Sequence, residues 1–124
     1  MEPYHLTIHE ARHLLDTRQL GVVELTGSVL DRIRQVEPQL QAFVTVTEEV
    51  AREGAHRANA LLQDNQASAL TGIPMQIKDL ICTKGIRTTC SSRMLENFVP
   101  IYNATVAERL NAHTPVLVGK GNMD

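Results

Sequence analysis

Apolar residues recur every three or four positions through Val22, Leu25, Val29, Ile33 and Val36, while Asp31, Arg32, Arg34 and Gln35 take the opposite side. That period gives one buried stripe and predicts a helix from about Val23 to Glu37. Pro38 should end it, because the residue before a proline is pushed out of the helical region. Upstream, Thr7 and Glu10 stand at capping-box spacing and predict a short helix to about Leu15, broken by Gly21. From Leu40 to Val46 the period falls to two. Leu40, Ala42, Val44 and Val46 share one side, with Gln41, Phe43 and Thr45 on the other, which predicts a strand. Thr47 should cap a third helix, with Glu48 and Glu49 at its positive end. The buried side of that helix, Ala51, Ala55 and Ala58 with Leu61 and Leu62, suits close packing against a neighbour.

A polar loop at residues 64–68 leads to Gly72-Ile73-Pro74, where Pro74, lacking an amide donor, suits the first residue of a strand through Ile77 and Lys78. Thr83-Lys84-Gly85 predicts a tight turn, with Gly85 supplying the permissive backbone. Residues 88–100 have little periodicity and should be irregular. Thr105 and Glu108 repeat the capping-box spacing and predict a helix to about Ala112; Val116 to Val118 predicts a closing strand. Strands alternating with helices argue for an α/β architecture, without fixing strand order. Domains seldom end at the lip of a core strand, so a chain stopping at Asp124 reads as a fragment.

Composition narrows the function classes. The 124 residues are 43% hydrophobic and 21% charged, with a net charge of −2. Without a basic surplus, direct RNA binding by this segment is not indicated. The first residues lack the basic and apolar regions of a secretory signal, and no apolar run approaches a membrane span. Cys82 and Cys90 are too few to staple a domain and fit no metal-ligand pair, so they read as reduced thiols rather than a disulfide.

Three features carry candidate chemistry. Lys78 closes an apolar strand and is followed by Asp79. Burial lowers a lysine pKa, and a neutral amine can act as a base, whereas a solvated strand-end lysine would do nothing. Position alone favours the solvated reading. His5, His9 and His13 are spaced by four, but His5 precedes the cap at Thr7, which favours a solvated face over a metal site. Gly119-Lys120-Gly121 hints at a phosphate loop, yet Thr114 and Gly121 stand where that motif needs glycine and Ser or Thr, so a strand-end turn is favoured.

Longer motifs shift the weighting on Lys78. Gly72-Ile73-Pro74-Met75-Gln76-Ile77-Lys78-Asp79 resembles the lysine segment of the amidase signature family. Residues 81–92, then Met94-Leu95-Glu96-Asn97-Phe98, Asn103-Ala104-Thr105-Val106, Glu108-Arg109-Leu110, Val116-Leu117-Val118-Gly119-Lys120 and Asn122-Met123-Asp124, are similar to the A subunits of bacterial tRNA-dependent amidotransferases. The likeness is strongest from Gly72 onward and generic before Leu40. It departs at Leu80, where asparagine is common, at Thr114-Pro115, and at Gly121, where threonine is usual.

The resemblance implies an α/β amidase-signature fold, a mixed central sheet flanked by helices. A helical first part would cover about 1–70 and the start of the catalytic core about 71–124. It implies a serine–serine–lysine triad in which Lys78 is the base and both serines lie beyond Asp124, leaving this chain inactive alone. Ser91-Ser92 is not the substitute, because no glycine-rich backbone surrounds it and hydroxyls in irregular loops usually satisfy local backbone groups. The implied reaction releases ammonia from glutamine. A partner subunit then uses it to convert ATP-activated Glu-tRNA(Gln) or Asp-tRNA(Asn). The implied complex is a cytoplasmic heterotrimer with B and C subunits. It consumes ATP and Mg2+ as a whole, with no cofactor or metal held by this chain, no membrane, and tRNA bound through the partner. The alternatives are another amidase-signature hydrolase or a short non-catalytic binding or structural module.

Overall fold

The computed structural model describes residues 2–123; Asp124, the last residue of the family-like tail, lies outside the described residues. A 3-10 turn at Pro3–His5 precedes helix α1, Ile8–Asp16. Helix α1 opens on the expected capping box. Glu10 N donates to Thr7 Oγ1 at 3.2 Å and Thr7 N to the Glu10 carboxylate at 3.0 Å, so two orphan amides are satisfied reciprocally. Gly21 is the residue before helix α2, Val22–Leu40, and Thr47 the residue before helix α3, Glu48–Gln63. Strand β1, Phe43–Val46, lies between them. Strand β2, Pro74–Lys78, helix α4, Thr105–Asn111, and strand β3, Val116–Gly121, follow.

The sheet is mixed, in the order β1-β3-β2, with β3 antiparallel to β1 and parallel to β2. The last strand in sequence is therefore the central one. One core joins Ala11 and Leu15 of α1, Val22, Leu25, Leu30 and Ile33 of α2, and the three α3 alanines to Ile73, Val116 and Val118. The small α3 face permits the close approach: Gly54 lies against the backbone of Pro115 and Val116. No helix among the described residues is long and apolar enough to cross a membrane.

Several expectations are corrected. Helix α2 continues past Pro38 to Leu40. Pro38 sits exposed in the last turn, where the lost amide bond is tolerable, and the end is finished elsewhere. Gln41 adopts the left-handed conformation and donates to Glu37 O at 2.8 Å, while the Glu37 carboxylate accepts from Ala42 N at 2.7 Å and Phe43 N at 2.9 Å. The strand expected from Leu40 thus begins at Phe43. Within it Phe43 packs on the core and Val46 is exposed, and the register with β3 shifts between Phe43 and Thr45. Thr47 does not cap α3 with its side chain; its hydroxyl donates to Leu117 O at 2.8 Å and ties the helix start to β3. Thr105 is the first residue of α4 rather than its cap, which is Ala104.

Candidate active site

Lys78 is the last residue of β2 and is half-buried. In register it stands beside Gly121 of β3, with Ile77 beside Lys120. The ladder runs one residue further, since Asp79 N donates to Gly121 O at 2.9 Å, and the chain then turns, Ile81 N donating to Lys78 O at 3.0 Å. Asp79 is fully buried and bonded on nearly every side. Its carbonyl accepts from Cys90 N at 3.2 Å, and its Oδ2 accepts from Thr89 N at 3.1 Å and from the Thr89 hydroxyl. Only Oδ1 lacks a hydrogen-bond partner among the described residues. These bonds fix the backbone immediately after the Lys78 amine.

The irregular stretch beyond is held by scattered bonds rather than a ladder. The expected turn is present: Ile86 N donates to Thr83 O at 3.1 Å, with Gly85 at φ +77°. Gly85 N reaches Pro100 O, Thr88 N reaches Phe98 O, and Lys84 N reaches the Asn103 side chain at 2.7 Å. Cys90 and Ser91 are both left-handed, at φ 52° and 58°. Ser92 Oγ accepts from Met94 N at 3.2 Å, the local use expected of it, and Ser91 is exposed. Both cysteines are free thiols, with Cys82 Sγ 3.7 Å from the Tyr102 hydroxyl. His5 lies in the 3-10 turn before Thr7, and His9 and His13 are exposed on α1.

The residue that sequence reasoning passed over is Lys120. Residues 119–121 are not a strand-end turn: they are the last three positions of the central strand. Gly119 and Gly121 face Phe43 and the Gln76 side chain, where a Cβ would collide. The intervening Lys120 faces the other way and has no exposed surface. Its Nζ donates to Ile81 O at 2.9 Å, Thr83 Oγ1 at 2.9 Å and Thr88 Oγ1 at 2.8 Å, and lies 3.9 Å from Asp79 Oδ1. Three acceptors match the three protons of an ammonium. Burial pulls its pKa below the ordinary range, against the opposing field of Asp79 and the two cysteines. The available signal was the glycines, which leave room on one face of a strand and a long side chain on the other.

A cavity of about 490 Å³ lies between α3, the 83–86 turn and the sheet, lined by Gly54, Arg57, Ile77, Lys84, Asn103 and Leu117; Lys78 is not among its walls. The arrangement around Lys78 is thus a strand-end amine on a rigid frame, with a second, buried lysine on the next strand. Such an amine can bind, donate or accept a proton.

Known proteins match this chain in sequence and in fold. A family profile described as Amidase matches residues 24–124. The chain is 56% identical over its whole length to the A subunit of glutamyl-tRNA(Gln) amidotransferase from Desulfosudis oleivorans, covering 26% of that protein. It is 53% identical to the protein of the same name from Caldanaerobacter subterraneus, covering 25%. Among solved structures, native peptide amidase from Stenotrophomonas maltophilia superposes with a TM-score of 0.91 at 26% identity, over 99% of this chain and 26% of that one. An amidase family protein from Bacillus anthracis gives 0.88 at 26% identity, over 98% and 25%. The chain therefore spans about a quarter of the length of the curated relatives it matches.

Proposed function

The chain belongs to the amidase family, and on that premise we propose that it is the front of a glutaminase subunit, with Lys78 as its catalytic base. The carrying observation is the 56% identity, over the full chain, to a relative named as an amidotransferase A subunit. The solved hydrolases share the fold at about half that identity. In this reading residues 71–124 begin the catalytic core and 1–70 pack over it.

The chemistry is the one the family resemblance implies for Lys78. A neutral Lys78 amine takes the proton of a bridging serine, which takes that of a second serine; the second oxygen attacks the side-chain amide carbon of glutamine. The carbon–nitrogen bond breaks, ammonia leaves with the returned proton, and water hydrolyses the acyl-enzyme. Both serines come from sequence outside these residues, so the 124-residue segment does no hydrolysis alone. Backbone donors around the tetrahedral oxyanion would be worth about 3–4 kcal/mol each. The ammonia passes to a B subunit, in a cytoplasmic complex with a C subunit, where ATP and Mg2+ activate Glu-tRNA(Gln) or Asp-tRNA(Asn). Every step assigned to this chain is proton transfer.

The test is ammonia release from side-chain-labelled glutamine by the full-length protein purified with its partners. Glutamine-dependent label in the aminoacyl-tRNA is the expected result. Hydrolysis of other amides without glutamine turnover would replace this reading with a different amidase, the reaction class of the solved neighbour named peptide amidase.

A further inference from the structure

We propose that the cavity between α3, the 83–86 turn and the sheet is a carboxylate site, in which Arg57 and Lys84 hold an acid carried on an aliphatic body. Its volume, about 490 Å³, is that of a small-molecule pocket. Two cations line it, Arg57 from α3 and Lys84 from the turn, and among the described residues no carboxylate does. Several other cations of the chain are matched: Arg12 pairs with Asp16, Arg34 and Arg52 share Glu48, and Lys120 faces Asp79. Arg57 and Lys84 make no ion pair among the described residues. Glu53, one turn before Arg57, and Glu108 on α4 line no part of the cavity. Two like charges at one cavity repel each other until an anion enters.

The walls define the ligand further. The Arg57 guanidinium lies along α3, its Nη2 3.9 Å from where a Cβ on Gly54 would be. Asn103 Oδ1 accepts from Lys84 N at 2.7 Å, which leaves the Asn103 Nδ2 to donate, and Asn111 adds a second side-chain amide. A planar guanidinium meets a carboxylate through two parallel hydrogen bonds. Ile77, Ile86 and Leu117 are apolar, and no aromatic ring lines the cavity for a nucleobase to stack on. A bare phosphate would leave those apolar walls against water, whereas a short aliphatic chain covers them. The acid is either a free small molecule or an Asp or Glu side chain of the complex that reaches in, since both present the same group. Ile77 lines the cavity and Lys78, the next residue of β2, does not, so the site is independent of the glutaminase reading.

The experiment uses the full-length protein purified with its partners. Labelling of Arg57 by phenylglyoxal is read by peptide mass spectrometry, alone and with glutarate, glutaramide or inorganic phosphate. In parallel, with no acid added, a carbodiimide joins Lys84 to any carboxylate in contact with it. A free acid predicts that glutarate slows Arg57 labelling fivefold or more, that glutaramide and phosphate change it less than twofold, and that Lys84→Gln cuts the glutarate effect at least threefold. An acidic side chain predicts instead slow Arg57 labelling without added acid and a Lys84 cross-link to one Asp or Glu from outside these residues. Replacing that acid by its amide should then speed Arg57 labelling threefold or more. Fast labelling that glutarate does not slow, with no such cross-link, overturns the proposal. Equal protection by glutaramide or phosphate overturns it too, as does slow labelling without the cross-link, which means that uncharged packing covers the cavity.

Discussion

Replacing Gly119 with alanine tests whether the central strand is packed as described. A Cβ there would lie 2.5 Å from Phe43 Cδ1 and 2.8 Å from the backbone oxygen of Thr45, against about 3.4 Å for ordinary contact. The ring would have to retreat about 0.9 Å and the neighbouring strand about 0.6 Å. The ring packs on the core and the oxygen belongs to the paired strand β1, so neither moves alone. Overpacking typically costs about 1–3 kcal/mol, and the backbone contact puts this site in the upper half. Stiffening the unfolded chain returns about 0.4–1 kcal/mol, leaving a net loss of roughly 1–2 kcal/mol. Gly121 is the internal control. A Cβ there meets only the far end of Gln76, an exposed side chain that can swing away. Gly121→Ala should lie within about 0.5 kcal/mol of the parent, the range of ordinary surface changes. Urea denaturation of the purified protein reads both. Equal effects, or Gly119→Ala matching the parent, would refute the packing argument.

Two further outcomes follow. Glu37→Gln weakens the charge-assisted bonds to the Ala42 and Phe43 amides that turn α2 into β1; a loss of about 1 kcal/mol is expected, checked by the same denaturation. Lys120 gives a pH dependence with a definite sign. Its folded value lies below the ordinary 10.5, so between the two the unfolded chain holds more protons. Stability from this group therefore rises with pH through that window, so the stability of the parent relative to Lys120→Met should rise as pH 10.5 is approached. A parent stability that falls relative to the variant through that window would contradict it.

Features governed by neighbours in sequence were legible. The capping box of α1, the α2 stripe, the alanine face of α3 and the Gly85 turn depend on spacings of a few residues. Pro38 misled because its cost was weighed without Glu37 and Gln41, whose bonds finish the helix. The start of β1 was set too early for the same reason, since those bonds hold residues 40–42 outside the strand. For Lys120 the flanking glycines were the only signal. Its burial follows from β3 lying between β1 and β2, and from a loop some 30–40 positions earlier supplying its acceptors. Lys78 was located through family-like motifs, and the structure adds the frame around it.

The measurement that bears most directly on the account is ammonia release by the full-length complex carrying Lys78→Ala. Loss of a general base typically lowers rate by about 10²–10⁴, and a half-buried strand-end side chain can be truncated without disturbing the ladder to Gly121. The account predicts a fall in glutamine turnover of that size, with the complex eluting intact on gel filtration. Turnover within threefold of the parent, in an intact complex, would contradict the assignment of Lys78 as the base.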